Sequence, residues 1–145
     1  VSFYEMYKGS DSVKFERPKF SHILDKWILA RLDQMTSVTT ESLENYQLDK
    51  AARPIADFID DLSTWYLRRS RERIKDGEEE SKKTLYFVLK NVAKILAPLA
   101  PFIAEDVWQK LKNEKDLESV HLVSWPDTPL INKDIIKINF YFIME

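Results

Sequence analysis

Apolar residues recur at the spacing of one helix face for most of the chain. From Ser21 to Tyr46 they fall at Leu24, Trp27, Ile28, Leu32, Met35, Val38, Leu43 and Tyr46, close to a single stripe at period 3.6. A second helix is expected from Asp49, a favourable N-cap, to Lys75, with Ala52, Ile55, Phe58, Ile59, Leu62 and Tyr66 facing inward. Asp76-Gly77 should stop it, because glycine tolerates the left-handed cap conformation. A third helix opens at Ser81, with Glu78, Glu79 and Glu80 near the positive end of its dipole. It carries Leu85, Val88, Leu89, Val92 and Leu96 before Pro98. Pro101 suits the first turn of a fourth, which bears Phe102, Ile103, Val107, Trp108 and Leu111. Short connections favour antiparallel neighbours. The predicted fold class is therefore all-α, an antiparallel helical bundle.

Two stretches break this pattern. Pro54 lies inside the second helix, where a proline costs about 3 kcal/mol, so that helix is expected to start late or to bend there. Ser119 to Trp125 is β-branched and partly alternating, and reads as a short extended C-terminal segment lying against the bundle, with Trp125 as an anchor. The tail from Ile131 to Glu145 is apolar without a clean period, and its type is left open. The expected organisation is a lead-in over 1–20, a helical domain over 21–126 and a tail over 127–145.

Composition narrows the chemistry. A chain of 145 residues can bury a real core without staples. Its 22 Lys and Arg against 24 Asp and Glu exclude a globally cationic nucleic-acid binder, but not a local basic patch. With no Cys and only His22 and His121, far apart in sequence, thiolate metal sites, cysteine catalysis and imidazole-based sites find no support. The absence of Cys fits a reducing, cytoplasmic setting. Two Gly leave no phosphate-cradling loop. No secretory signal or membrane-length apolar run is visible, and a start at Val1 rather than Met is what a piece of something larger would show. Asp60-Asp61 and Glu105-Asp106 are sequence neighbours that point to different sides of a helix, so they read as structural and not as an acid/base pair. His22 is expected at the surface or as a cap. No catalytic and no metal-binding residue is predicted.

The most unusual stretch runs from Trp65 to Lys75, with five basic residues against one acid. At about 100° per residue, Arg68, Arg71 and Lys75 fall on the side away from the apolar stripe. Arg69 and Arg73 instead continue the line of Phe58, Leu62 and Tyr66. Guanidinium groups do not face hydrocarbon unpaired, so they either meet carboxylates or mark where the stripe turns to a ligand. With Lys82 and Lys83 they form a candidate anion-binding patch. Trp65 adds an aromatic face of the kind that stacks unpaired bases, whereas Tyr66, Trp27 and Trp108 follow core periodicity. The competing reading is a set of solvated charges that complement a helix dipole.

At this point the residues resemble a known family. Leu24-Asp-Lys-Trp-Ile-Leu-Ala-Arg-Leu32 and Leu43-Glu-Asn-Tyr46 look like the start of the anticodon-binding domain of class I aminoacyl-tRNA synthetases. Asp60-Asp-Leu-Ser-Thr-Trp-Tyr-Leu-Arg-Arg-Ser-Arg-Glu-Arg73 resembles the isoleucyl members more than the valyl, leucyl or methionyl ones. Leu96-Ala-Pro-Leu-Ala-Pro-Phe-Ile-Ala-Glu-Asp-Val-Trp108 and Ser119-Val-His-Leu-Val-Ser-Trp-Pro126 match in order and spacing, and Ser2-Phe-Tyr-Glu-Met-Tyr7 resembles the segment leading in. The likeness covers about residues 1–126. Pro54 and the chain after Asp127 depart from it.

The resemblance implies a helical domain that holds the anticodon arm of isoleucine tRNA, within an enzyme that joins isoleucine to that tRNA using ATP and Mg²⁺. The family's His-Ile-Gly-His and Lys-Met-Ser-Lys-Ser motifs are absent from this chain, so the stretch alone should be inactive and hold no cofactor. The implied partners are the tRNA and the catalytic and editing domains of the same chain, with no membrane and a monomeric state. Within the patch, Arg69 and Arg73 are expected to position or specify, and Arg68, Arg71 and Lys75 to supply charge. Two alternatives stand beside this: the same domain from a valyl or other class I relative, and a free-standing helical bundle that binds protein partners.

Overall fold

The computed structural model describes residues 1–7, 16–18 and 22–127, so the tail beyond Asp127 lies outside the described residues. Helices α1 (Ser2–Tyr7), α2 (Ile23–Glu44) and α3 (Leu48–Asp60) are followed by a π-helical turn at Asp61–Tyr66. Helices α4 (Leu67–Lys75), α5 (Glu79–Leu96) and α6 (Pro101–Leu111) complete the set, with a 3-10 turn at Val120–Leu122. No strand occurs among the described residues. The all-α reading holds. The described residues divide into two compact units, one over 22–69 with Asp127, the other over 1–7, 16–18 and 70–126, with the boundary inside α4.

In the first of these units α2 packs on α3 and on the π turn. His22 caps α2, its Nδ1 accepting from the Leu24 N–H at 3.2 Å. Three links then run between the two arms. The Tyr66 hydroxyl donates to Asp25 at 2.7 Å, Arg31 pairs with Asp61 at 2.6 Å, and the Thr39 hydroxyl donates to the Ala51 carbonyl at 3.2 Å. As the α2 partner advances, the other recedes, which is an antiparallel hairpin.

The buried face of α2 differs from the apolar stripe near its end. Trp27, Ile28, Leu32 and Met35 are buried, but then Thr36, Thr39 and Ser42 continue the inner face. Val38 is 41% exposed instead. The Thr36 hydroxyl donates to the Leu32 carbonyl one turn back, so it enters the interior already satisfied. On α3 the inward alanine is Ala51, not Ala52, and Ile59 is also turned outward. Helix α3 opens after Gln47, with Asp49 in its first turn and not at the cap, and continues through Pro54 instead of starting after it.

Two helices end in the same hydrogen-bond pattern with different residues. At the end of α4, Gly77 has φ of 85°, the Glu78 N–H donates to the Arg73 carbonyl at 3.0 Å and the Gly77 N–H to Ile74 at 3.2 Å. At the end of α2, Tyr46 occupies the equivalent left-handed position with φ of 56°, the Gln47 N–H donating to Ser42 at 2.8 Å and the Tyr46 N–H to Leu43 at 3.0 Å. The Tyr46 side chain is 92% exposed, so its burial does not offset the left-handed backbone.

In the second unit α5 packs on α6, and Ala93, Ala104, Trp108 and Val120 form a core cluster. Pro101 at the start of α6 sets a register in which Ala104, Trp108 and Leu111 point inward. Phe102 and Ile103, expected on the inner face, are instead 90% and 61% exposed. The segment from Ser119 is extended at Ser119 and Val123 but coils into the 3-10 turn between them. Glu105 holds it: its carboxylate accepts from the Ser119 hydroxyl at 2.8 Å and the Val120 N–H at 3.1 Å. A hydrogen bond from Gln109, followed by those from Ser119 and Val120, holds the Glu105 carboxyl below its ordinary value.

Lys90 is fully buried in this unit. Its ammonium sits 2.6 Å from Asp116 and 4.6 Å from the centre of the Trp108 ring. Burial pushes the Lys90 value down while Asp116 pulls it back up. Asp116 also accepts from the Asn113 N–H at 2.6 Å, and the Trp108 indole donates to the Leu117 carbonyl at 3.0 Å. The loop after α6 is therefore fixed to α5 by a buried charge.

Two outcomes follow from these contacts. Tyr46→Gly should raise stability by about 1 kcal/mol, read as an increased midpoint in chemical denaturation. Asp116→Asn should lower it by about 3–5 kcal/mol, because it leaves the Lys90 charge buried without its carboxylate. A base whose folded-state pKa is lowered binds more protons when unfolded, so the Asp116→Asn deficit should shrink as pH rises toward the ordinary lysine value.

Candidate nucleic-acid interface

The basic segment begins where the helix changes type. Through the π turn the Leu67 N–H reaches back to the Leu62 carbonyl, five residues away instead of four. Ser63 and Thr64 stabilise this widening: the Ser63 hydroxyl donates to the Ile59 carbonyl at 2.8 Å, and the Thr64 hydroxyl to Asp60 at 2.7 Å. The extra residue per turn moves the buried line. It runs Phe58, Leu62, Tyr66, Ser70 and Ile74, each four residues on from the last.

This corrects the expected placement of two arginines. Arg69 and Arg73 do not continue the buried stripe, because the π turn has given those positions to Ser70 and Ile74. Arg69 is exposed and lies over the Trp65 ring, 5.2 Å from its centre. Trp65 is half-buried, so the pair forms a flat aromatic and cationic surface. Arg68, the next residue back, is exposed and in no ion pair among the described residues. These three belong to the unit containing α2 and α3.

The remaining predicted residues belong to the other unit. Arg71 is exposed and lies over the Phe3 ring at 5.7 Å. Arg73 is half-buried and paired with Glu78 at 2.6 Å, immediately beyond the Gly77 cap, which is a structural position. Lys75 meets Glu72 at 3.3 Å and Lys83 meets Glu79 at 4.0 Å. Such exposed pairs contribute little and are readily exchanged for another anion. Lys82 is half-buried, with its ammonium nitrogen near Gly77. The eight predicted residues thus separate into exposed guanidiniums (Arg68, Arg69 and Arg71), a stacked Trp65, and lysines and Arg73 with local partners or positions.

A second cationic feature was not anticipated. A cavity of about 280 Å³ lies on the α2–α3 hairpin, with Arg31, Lys50 and Arg53 among its lining residues. Its only sequence signal is Lys50 and Arg53, three residues apart and hence on one helix face. Arg31 joins them only because the hairpin is antiparallel. No group of His, Cys, Asp and Glu able to hold a metal ion occurs among the described residues, and none of their helices is long and apolar enough to cross a membrane.

The arrangement presents exposed cations beside aromatic faces, which suits phosphates and unstacked bases. The sequence matches the family described as the anticodon-binding domain of tRNA ligase over residues 25–142, and the chain belongs to that family. Among its relatives, an isoleucine–tRNA ligase of Chlamydia trachomatis is 41% identical over 138 residues, covering 90% of this chain and 13% of that protein. One from Streptomyces avermitilis is 41% identical over 124 residues, covering 83% and 12%. One from Clostridium novyi is 39% identical over 140 residues, covering 89% and 14%. The chain spans only about an eighth of the length of these relatives.

Trp65 and Arg69 should be energetically coupled. A double-mutant cycle of Trp65→Ala and Arg69→Ala in chemical denaturation is expected to give a coupling of about 0.5–1 kcal/mol.

Proposed function

We propose that this chain holds the anticodon arm of a tRNA, and that it does so as part of an isoleucine–tRNA ligase. The observation that carries this reading is the exposed Arg69 guanidinium over the Trp65 ring, next to the exposed Arg68, in a chain whose net charge is only −2. The similarity to isoleucine–tRNA ligases supports the choice of tRNA over other polyanions. Joining isoleucine to tRNA with ATP and Mg²⁺ belongs in this reading to parts of the protein outside this chain. The chain's own share is to bind and orient. Cytoplasmic residence and a monomeric state accompany the proposal.

Within it the residues divide by geometry. Arg69, fixed on Trp65, positions an unpaired base through stacking. Arg68 and Arg71, exposed and in no ion pair, supply charge to phosphates. Arg73, tied to Glu78, supports the end of α4 and does not read the RNA. Lys75, Lys82 and Lys83 add to the local field.

Binding of an anticodon stem-loop across a salt series tests the scheme. Arg68→Gln and Arg71→Gln should each weaken binding and flatten the salt slope by about one unit, without changing the preference among stem-loops. Arg69→Ala should reduce the preference for the isoleucine anticodon. Equal binding of all stem-loops at every salt, unaffected by these variants, would overturn the proposal in favour of a protein-binding bundle.

A further inference from the structure

The π turn is pinned at both ends to the same helix. Asp61, its first residue, pairs with Arg31 of α2, and Tyr66, its last, donates to the buried Asp25 of α2 at 2.7 Å. In an α-helix two residues at this spacing point about 140° apart, so they would not meet one neighbouring helix together. In a π turn the hydrogen bond runs five residues back, and residues five apart take the place that residues four apart hold in an α-helix. Asp61 and Tyr66 therefore face α2 at the same time only in the wider winding. Ser63 and Thr64 act within the helix alone: their hydroxyls donate to carbonyls four residues back, a bond that ordinary α-helices also make. They accommodate the winding but do not orient it against α2.

Arg31 is committed to this contact. Its Nε and one terminal nitrogen meet the same Asp61 oxygen at 2.8 and 2.6 Å, and the other terminal nitrogen donates to the Gln34 side-chain oxygen. Every guanidinium nitrogen has a partner inside the unit, and both side chains of the ion pair are half-buried. The charge of Arg31 is spent on Asp61, and what it contributes is position. Trp65 lies within the turn, and Arg69 follows four residues on with its guanidinium 5.2 Å from the centre of the Trp65 ring. With α winding throughout, the line of Phe58, Leu62 and Tyr66 leads to Arg69; with the π winding it leads to Ser70. Holding Asp61 on α2 decides whether Arg69 stands on an outer face.

We infer that Arg31 and Asp61 are positioning residues for the RNA-binding surface: by holding the first residue of the π turn on α2, they set the winding that turns Arg69 outward over Trp65. The consequence for binding rests on the RNA-binding reading above, but neither residue is assigned a contact with RNA. The signature of this role runs against simple electrostatics. Removing the Asp61 carboxylate makes the chain less negative, which by itself strengthens the binding of a polyanion. Loss of positioning has the opposite sign. Arg31→Lys keeps the charge but not the planar fork, so a field effect would survive it and the positioning would not.

The full chain and its Asp61→Asn, Arg31→Lys, Arg69→Ala and Asp61→Asn/Arg69→Ala variants are titrated with an isoleucine anticodon stem-loop, under conditions where circular dichroism shows each to be folded. The Trp65 indole N–H resonance, assigned with Trp65→Phe, is followed by NMR in the free chains. Asp61→Asn and Arg31→Lys should each weaken stem-loop binding about fivefold. Asp61→Asn should add no loss in the Arg69→Ala background, because it acts through Arg69. Both single variants should move the Trp65 resonance in the direction that Arg69→Ala moves it. Unchanged or tighter binding by Asp61→Asn, unchanged binding by Arg31→Lys, or a loss that adds to that of Arg69→Ala would overturn the inference and leave the α4 reading intact. If the unaltered chain binds no stem-loop, the RNA reading falls. The positioning of Arg69 is then decided by the Trp65 resonance: a shift in Asp61→Asn upholds it, and an unmoved signal overturns it as well.

Discussion

The helical register between Asp61 and Tyr66 decides which side chains of the following segment meet water. In an uninterrupted α-helix the line through Phe58, Leu62 and Tyr66 would bring Arg69 and Arg73 toward the interior, where an unpaired guanidinium is costly. One π turn adds a residue to the winding, and Ser70 and Ile74 take the buried places. Arg69 then faces outward, and Arg73 sits half-buried against Glu78, without loss of core. Asp61, the first residue of that turn, is held by Arg31 across the hairpin, and Ser63 and Thr64 occupy the carbonyls of the preceding turn. Local chemistry and a long-range ion pair fix the same register.

The same economy runs through both units. The two charged side chains buried deepest enter the interior with partners in place, Asp25 with Tyr66 in one and Lys90 with Asp116 and the Trp108 face in the other, whereas the Ser70 hydroxyl and the Trp27 indole N–H are buried without a hydrogen-bond partner. These contacts specify alignment more than they add stability. An apolar hairpin could slide by a turn at little cost, whereas a Tyr66–Asp25 hydrogen bond and a Thr39–Ala51 hydrogen bond allow one register only. The rigid α2–α3 surface that results keeps Arg31, Lys50 and Arg53 around one cavity.

Much of this was readable from the residues. Four helical stretches in the right order, the Gly77 stop, the Pro101 start and the burial of Trp27 and Trp108 follow from periodicity and cap chemistry, whereas α1 and the division of the second stretch into α3, the π turn and α4 do not. The errors share a cause. Periodicity assumes 3.6 residues per turn, so it could not anticipate a π turn written in hydroxyls at Ser63 and Thr64. It counts apolar residues as inward, so it placed Val38, Ile59, Phe102 and Ile103 inside and overlooked Thr36, Thr39 and Ser42. It treats glycine as the left-handed residue, so it passed over Tyr46. The basic stretch of α4 was legible because its members are adjacent in sequence; the cavity was not, because Arg31 and Arg53 meet only through folding.

A net charge of −2 is no obstacle to holding a polyanion, because charge acts over about a Debye length, roughly 8 Å at physiological ionic strength. What matters within that range is which charges are already spent. Arg73, Lys75, Lys83, Lys90 and Lys110 have carboxylates within 4.0 Å and offer little field beyond them. Arg68, Arg69 and Arg71 have no such partner among the described residues, and neither do Lys50 and Arg53. The fold thus sorts its cations into those that hold helices together and those turned outward. The π turn is the device that assigns Arg69 to the second group and Arg73 to the first.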